Sequence, residues 1–217
     1  MSGAKGSAWS MAVRAASHVL HRLACKARLL RYNLTLFGFY RAAPWSTTIY
    51  GRLLSLHVPC RVSMGRRCHL GDGTYFATTL QSVIRIGDDV TVNLGCVLVA
   101  VEGISIGDRV AIAEYVSIRD QEHRFAPGSG VRGQGFTTAP VEIGDNVWIG
   151  RGAYVGPGSR IGANSIIGAG SVVRGEFPPG VLIAGAPATI RKRLTPEELP
   201  NLDHRHDKPV IGLAASS

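Results

Sequence analysis

Residues 143–173 read IGDNVWIGRGAYVGPGSRIGANSIIGAGSVV. Every sixth residue from Ile143 is aliphatic and β-branched: Ile143, Ile149, Val155, Ile161, Ile167 and Val173. Gly follows each of them except Val173, which is followed by Arg174. An α-helix repeats about every 3.6 residues and a strand every two, so neither carries a period of six. Hexapeptide repetition is the mark of a parallel β-helix. The chain winds round a triangular prism with one short strand per face. The aliphatic residue points inward, and the small residue after it lets the chain turn the corner. Coils stack by parallel pairing at about 4.8 Å. Three hexapeptides complete one coil, so Ile143, Ile149 and Val155 belong to different faces and Ile161 stacks on Ile143. An ordinary sandwich would alternate with period two, and no sustained alternation is found. The expected class is mainly β, a parallel β-helix whose handedness the pattern leaves open.

The rhythm extends backwards. Val62, Cys68, Thr74, Leu80, Ile86, Val92 and Leu98 keep one register, and after a slip of two residues Ile106, Ile112 and Ile118 keep a second. Residues 120–140, DQEHRFAPGSGVRGQGFTTAP, break the pattern with Gly, Pro and polar residues and are expected to form a long protruding loop. The third run ends at EFPPG, 176–180. Three stretches follow: a basic helical or irregular N-terminal segment, 1–59; the β-helix, 60–193, with the loop at 120–140; and a C-terminal tail, 194–217.

Composition agrees with a small-residue β core. The 217 residues are 45% hydrophobic, enough for one sizeable core, and Gly is frequent at 27 residues while aromatics make only 7%. Cys25, Cys60, Cys68 and Cys96 form no CxxC pair. They read as reduced thiols of a cytosolic protein rather than as a disulfide or zinc framework. The net charge of +9 is uneven. Residues 1–71 hold eleven Lys/Arg and no acid, and the first acid is Asp72. The basicity belongs to the N-terminal segment and does not argue for nucleic acid.

Within that segment Trp9, Val13, Ala16, Leu20, Leu23, Ala27 and Leu30 are spaced as an apolar helical stripe. Most of the cations lie off the stripe. No apolar run reaches the ~18 residues of a membrane span, and no secretory signal is recognisable. Three readings stand: a helix packed on the core or on a neighbouring subunit, a basic helix through which residues 1–35 touch an anionic membrane surface, or an organellar transit peptide. The expected location is cytoplasmic, peripheral at the membrane under the second reading.

The stretch EIGDNVWIGRGAYVGPGSRIGANSIIGAGSVV, followed by PPGVLIAGAPATIRKR, resembles the left-handed β-helix acyltransferases with hexapeptide repeats. The likeness is to the branch that includes maltose, galactoside and nodulation-factor O-acetyltransferases, and it covers about residues 60–193. It implies a left-handed coil, a homotrimer with sites between subunits, and acetyl-CoA bound along the outside of the coils, with no metal. His123, about twenty residues before IGDNVWIG, aligns with the family's catalytic histidine. Trp148 is implied beside the CoA arm, Ala169 at the pantetheine amide, and Gly150 and Gly168 where close approach is needed. Arg191 and Lys192, with Arg193, form a basic cluster suited to CoA phosphates. Arg174 stands where relatives often carry Thr-Lys, and Thr189 where many have Arg, so these phosphate contacts depart from the family's pattern.

Acyl transfer to an alcohol needs a base for the hydroxyl proton as the thioester carbon is attacked. The thioester is already activated, so one placed imidazole suffices. The resemblance makes His123 the expected base, and Asp120, three residues earlier, would orient it or stabilise its charge. Glu122 is a competing candidate for that role and is otherwise expected at the acceptor, and Asn93 is placed to hydrogen-bond a sugar or to fit a coil corner. The expected activity is acetyl-CoA-dependent O-acetylation of a sugar or glycan-like hydroxyl. N-acetylation of an amino sugar is the alternative. A γ-type carbonic anhydrase would need three histidines for zinc, and the repeats offer only His69 and His123; a non-catalytic hexapeptide scaffold is the remaining alternative.

Overall fold

The computed structural model describes residues 3–37, 42–55 and 60–198. The expected tail therefore lies outside the described residues from 199 onward, as do 38–41 and 56–59 of the preceding connection.

The body is a three-faced parallel β-helix of the left-handed class. The first face carries Thr48–Ile49, His69–Leu70, Thr91–Val92, Ala111–Ile112, Trp148–Ile149, Ile166–Ile167 and Val181–Gly185. The second runs from Leu54–Ser55 to Val172–Val173, and the third from Val62–Met64 to Glu176–Phe177. Ile143 pairs with Ile161, as the hexapeptide arithmetic requires. Each face buries an aliphatic ladder; on the first it is Ile49, Leu70, Val92, Ile112, Ile149, Ile167 and Ile183. Ala188–Arg193 folds back antiparallel on Val181–Gly185 and closes that end of the first face.

Two positions in each repeat have distinct physical tasks. Two residues before the rung sits a small buried residue. Where it is polar, it donates to a corner carbonyl: Thr74 Oγ1 to Gly71 O at 2.9 Å and Ser159 Oγ to Gly156 O at 2.7 Å. The Gly after the rung gives clearance between coils. A Cβ on Gly144 would lie 2.7 Å from the backbone N of Ala163, and one on Gly162 2.3 Å from that of Pro179. The unusual backbone angle belongs to other residues, such as Asn146 and Asn164 at φ near +55° and +58°.

The early register differs from the expected one. The stretch from Leu70 to its partner Val92 contains extra residues between Phe76 and Ile86, and Leu80 lies there in a turn, 79% exposed. The inward rungs before it are Met64, Leu70 and Phe76. Val62, Cys68 and Thr74 are buried two residues earlier in their repeats, which is why they mimicked the rung. All four cysteines are buried and unbridged, and burial pushes the thiols of Cys68 and Cys96 up to about 11.

α1 spans Gly3–Tyr32. Its C-terminal part packs on the first coils through Cys25, Leu29 and Tyr32, and Leu53 N–H donates to Tyr32 Oη at 2.9 Å. Arg28 Nη1 donates to Ile49 O at 3.5 Å. The expected apolar stripe is not the packed face. Val13, Leu20, Leu23 and Leu30 are 47–66% exposed, because the helix docks through a face rotated from them. The side chain of Trp9 lies outside the described residues. Among the described residues no helix is long and apolar enough to cross a membrane.

Candidate active site

The interruption at 120–140 is an antiparallel hairpin rather than an open loop. Gln121–His123 pairs with Phe136–Thr138 at the corner between the second and third faces. The hairpin's base is tied to the preceding coil by Asp120. This buried carboxylate accepts N–H bonds from Val101 at 2.8 Å, Glu102 at 2.8 Å and Gly103 at 2.7 Å. Burial pushes the carboxyl up while these donors pull it down. No bond joins Asp120 to His123 among the described residues. The expected role of orienting the imidazole is thus replaced by a backbone cap, since all of this carboxylate's donors are amides of another coil.

His123 is exposed, and its ring leans on Phe136 with centroids 4.4 Å apart. Glu122 does not stand free for an acceptor. It accepts from Tyr154 Oη at 3.0 Å and from both terminal nitrogens of Arg174, Nη1 at 2.7 Å. The Arg174 guanidinium also lies 5.6 Å from the centroid of the Tyr154 ring. Arg174, expected at CoA, is therefore already paired, and its hydrogen bond holds the Glu122 carboxyl below the usual range.

Trp148 stands on the first face, 47% exposed, in register with Ala111 and Ile166. The corner between first and second faces carries Asn93, Gly150, Gly168 and Ala169. Asn93 Nδ2 donates to Ile112 O at 3.1 Å, so its amide serves the corner while the residue remains exposed. Gly150 is buried, and a Cβ there would lie 2.6 Å from Ala169 N; at Gly168 it would lie 3.0 Å from Ala184 Cβ. These glycines make room for the next coil. Ala169 is exposed beside them. Arg191 Nε donates to Ala184 O at 2.9 Å within the antiparallel pair, and Lys192 pairs with Glu198 in the turn just beyond it.

Sequence reasoning missed Tyr154 and Phe136. Tyr154 occupies the outward place before the Val155 rung, where the repeat sets no residue type, and Phe136 lies in the non-periodic stretch. A recess of about 840 Å³ opens on the third face among Ser105, Glu142, Asp145, Arg160 and Glu176. It holds neither His123 nor Trp148. Arg160 spans Glu142 at 3.5 Å and Glu176 at 3.6 Å there, a solvated charge row. Among the described residues no group of three or more His, Cys, Asp or Glu is placed to hold a metal ion.

Fold and hairpin together define a hexapeptide-coil protein with a histidine-bearing hairpin. The family described as bacterial transferase hexapeptide (six repeats) matches residues 140–175. The chain belongs to this hexapeptide-repeat transferase family. It is 33% identical over 173 residues to a probable acetyltransferase of Mycobacterium tuberculosis, covering 76% of this chain and 55% of that one. It is 41% identical over 108 residues to nodulation protein L of Rhizobium meliloti, covering 50% and 58%. The chain thus spans little more than half the length of these relatives. An N-acyltransferase of Bacillus cereus, solved with dTDP-4-amino-4,6-dideoxyglucose and coenzyme A, superposes with a TM-score of 0.63 at 20% identity, covering 70% of this chain and 83% of that one. That likeness concerns the fold.

Proposed function

We propose that this chain is an acetyl-CoA-dependent acetyltransferase that acylates a hydroxyl of a sugar or glycan-like acceptor, with His123 as general base. The observation that carries it is the placement of an exposed imidazole on a hairpin anchored at its base, in a chain whose relatives include a probable acetyltransferase. His123 accepts the acceptor's proton as its oxygen attacks the thioester carbon. The carbon–sulfur bond then breaks, and the proton passes to the departing thiolate. Buried Asp120 and paired Glu122 leave the imidazole as the free base of this hairpin. Exposed Trp148 and Ala169 are the residues we assign to the CoA arm, and Arg191, Lys192 and Arg193 to its phosphates. Gly150 and Gly168 space the coils beneath that arm.

On a triangular prism the corner between the second and third faces lies opposite the first face. His123 and Trp148 therefore stand on opposite sides of one chain, and a site using both needs a second copy, here a homotrimer. An amine acceptor is the second reading, favoured by the fold shared with an N-acyltransferase. We assign residues 1–35 to an anionic membrane surface, because α1 leaves Val13, Leu20, Leu23 and Leu30 exposed in a segment without acids. Thiol release from acetyl-CoA over a panel of sugar alcohols and amino sugars tests the reaction, with mass spectrometry of the products separating esters from amides. No thiol release with any acceptor would overturn the assignment.

A further inference from the structure

Glu122 and His123 are adjacent in one extended strand, so their side chains point to opposite sides of the hairpin. Glu122 is drawn onto the second face by the Arg174 fork and the Tyr154 hydroxyl, both on neighbouring coils. Its contact is bidentate, the geometry that fixes direction as well as distance. Arg174 is further aligned over the Tyr154 ring. With Glu122 held inward, the imidazole of the next residue must face away from its own coils, toward a neighbouring chain or solvent, and its exposure agrees.

We infer that Arg174, Glu122 and Tyr154 form a latch that positions His123 by clamping the hairpin to the second face. The latch is distinct from the Asp120 cap. Asp120 fixes where the hairpin leaves the coils, whereas Glu122 fixes how it is turned. Arg174 and Glu122 are thereby positioning residues, and neither touches the acceptor or CoA. The half-exposed setting of both side chains, 50% and 39%, leaves the coil core untouched when they are changed.

This inference rests on His123 as the base, but its structural half can be read separately. Glu122→Gln and Arg174→Met should each lower kcat about tenfold with little change in the KM for acetyl-CoA. The shape of the pH profile should be kept, since the base itself remains. Arg174→Lys should recover part of the loss, as a point charge lacks the fork, and the reversed pair Glu122→Arg with Arg174→Glu should recover more than either single change. Hydrogen exchange should show faster exchange of the 121–123 and 136–138 amides in the single variants, with the coil amides unchanged. Wild-type kcat in both single variants, or unchanged hairpin exchange, would overturn the latch. A raised KM for acetyl-CoA at constant kcat in Arg174→Met would overturn it too and return Arg174 to the phosphates. If His123→Ala retains full turnover, the proposed reaction fails while the exchange result still decides the latch.

Discussion

At the scale of the residue, the proposed reaction gives His123 the chemistry while the glycines carry the stacking, so their substitutions should fail in different ways. His123→Ala should lower kcat by roughly 10²–10⁴ while acetyl-CoA affinity stays nearly unchanged, because the imidazole meets the acceptor's proton. Steady-state kinetics over acetyl-CoA concentration measures both. Trp148→Ala should act the other way and raise the KM for acetyl-CoA more than it lowers kcat. Gly150→Ala should leave the chemistry intact but destabilise the fold by roughly 1–3 kcal/mol. Its Cβ would lie 2.6 Å from a backbone nitrogen that cannot move alone, and thermal melting reads the loss. The run from Ile143 to Val173 was legible residue by residue because coils there follow one another without insertion, Ile149 pairing directly with Ile167. Asp120 was not legible in its true role. Its partners Val101, Glu102 and Gly103 are close only because the coil brings them there. The stacking task of Gly150 was hidden for the same reason: what fills its missing Cβ is the next coil, which local sequence does not display.

At the scale of the element, the hairpin and α1 differ in what holds them. The hairpin's side is fixed by an ion pair, so its order should depend on acid. The Arg174 hydrogen bond keeps the Glu122 carboxyl below its unfolded value. Its contribution is therefore fully present above the unfolded pKa of about 4.3 and is lost as pH falls through the lower folded value. Amide exchange in 121–123 should stay protected at pH 5 and lose protection only in stronger acid, ahead of the coils; equal protection at pH 2 would contradict this. Among the described side chains, those of α1 that are buried, Cys25, Leu29 and Tyr32, lie at its C-terminal end, with Val13, Leu20 and Leu23 outward. Deleting residues 1–35 should reduce sedimentation with anionic vesicles, each surface cation contributing on the order of 1 kcal/mol at low salt. Unchanged sedimentation would assign the stripe to a neighbouring subunit. Element boundaries were harder to read than element type. Leu80 fitted the six-residue count only because Cys68 and Thr74, small and buried, stood two places from the real rungs and hid the extra residues after Phe76. The helical stripe was likewise visible as a pattern, while the choice of packed face depended on Cys25, Leu29 and Tyr32 meeting the first coils.

At the scale of the whole molecule, the faces are unequal. The third face carries a charged row of Arg85, Glu142, Arg160 and Glu176, suited to water. The first presents Ala111, Trp148, Ile166 and Leu182 outward in one line, and the second presents Val97, Ser117, Tyr154 and Val172. An apolar row on the first face and an uncharged one on the second suit burial against copies of the same chain, and closed cyclic symmetry satisfies every copy at once. Sedimentation equilibrium should therefore find a trimer. The more searching test uses the opposed placement of His123 and Trp148. If each site takes its base from one subunit and its CoA face from another, neither His123→Ala nor Trp148→Ala alone forms a good site. Hybrid trimers assembled by co-expressing the two variants would contain some interfaces with both residues intact. Such hybrids should regain a measurable fraction of wild-type kcat/KM at low acetyl-CoA, while separately purified variants mixed without subunit exchange should not. Activity in hybrids no greater than the sum of the parents would place both residues of each site on one chain, which the prism does not permit for a shared reaction centre, and would remove Trp148 from the site.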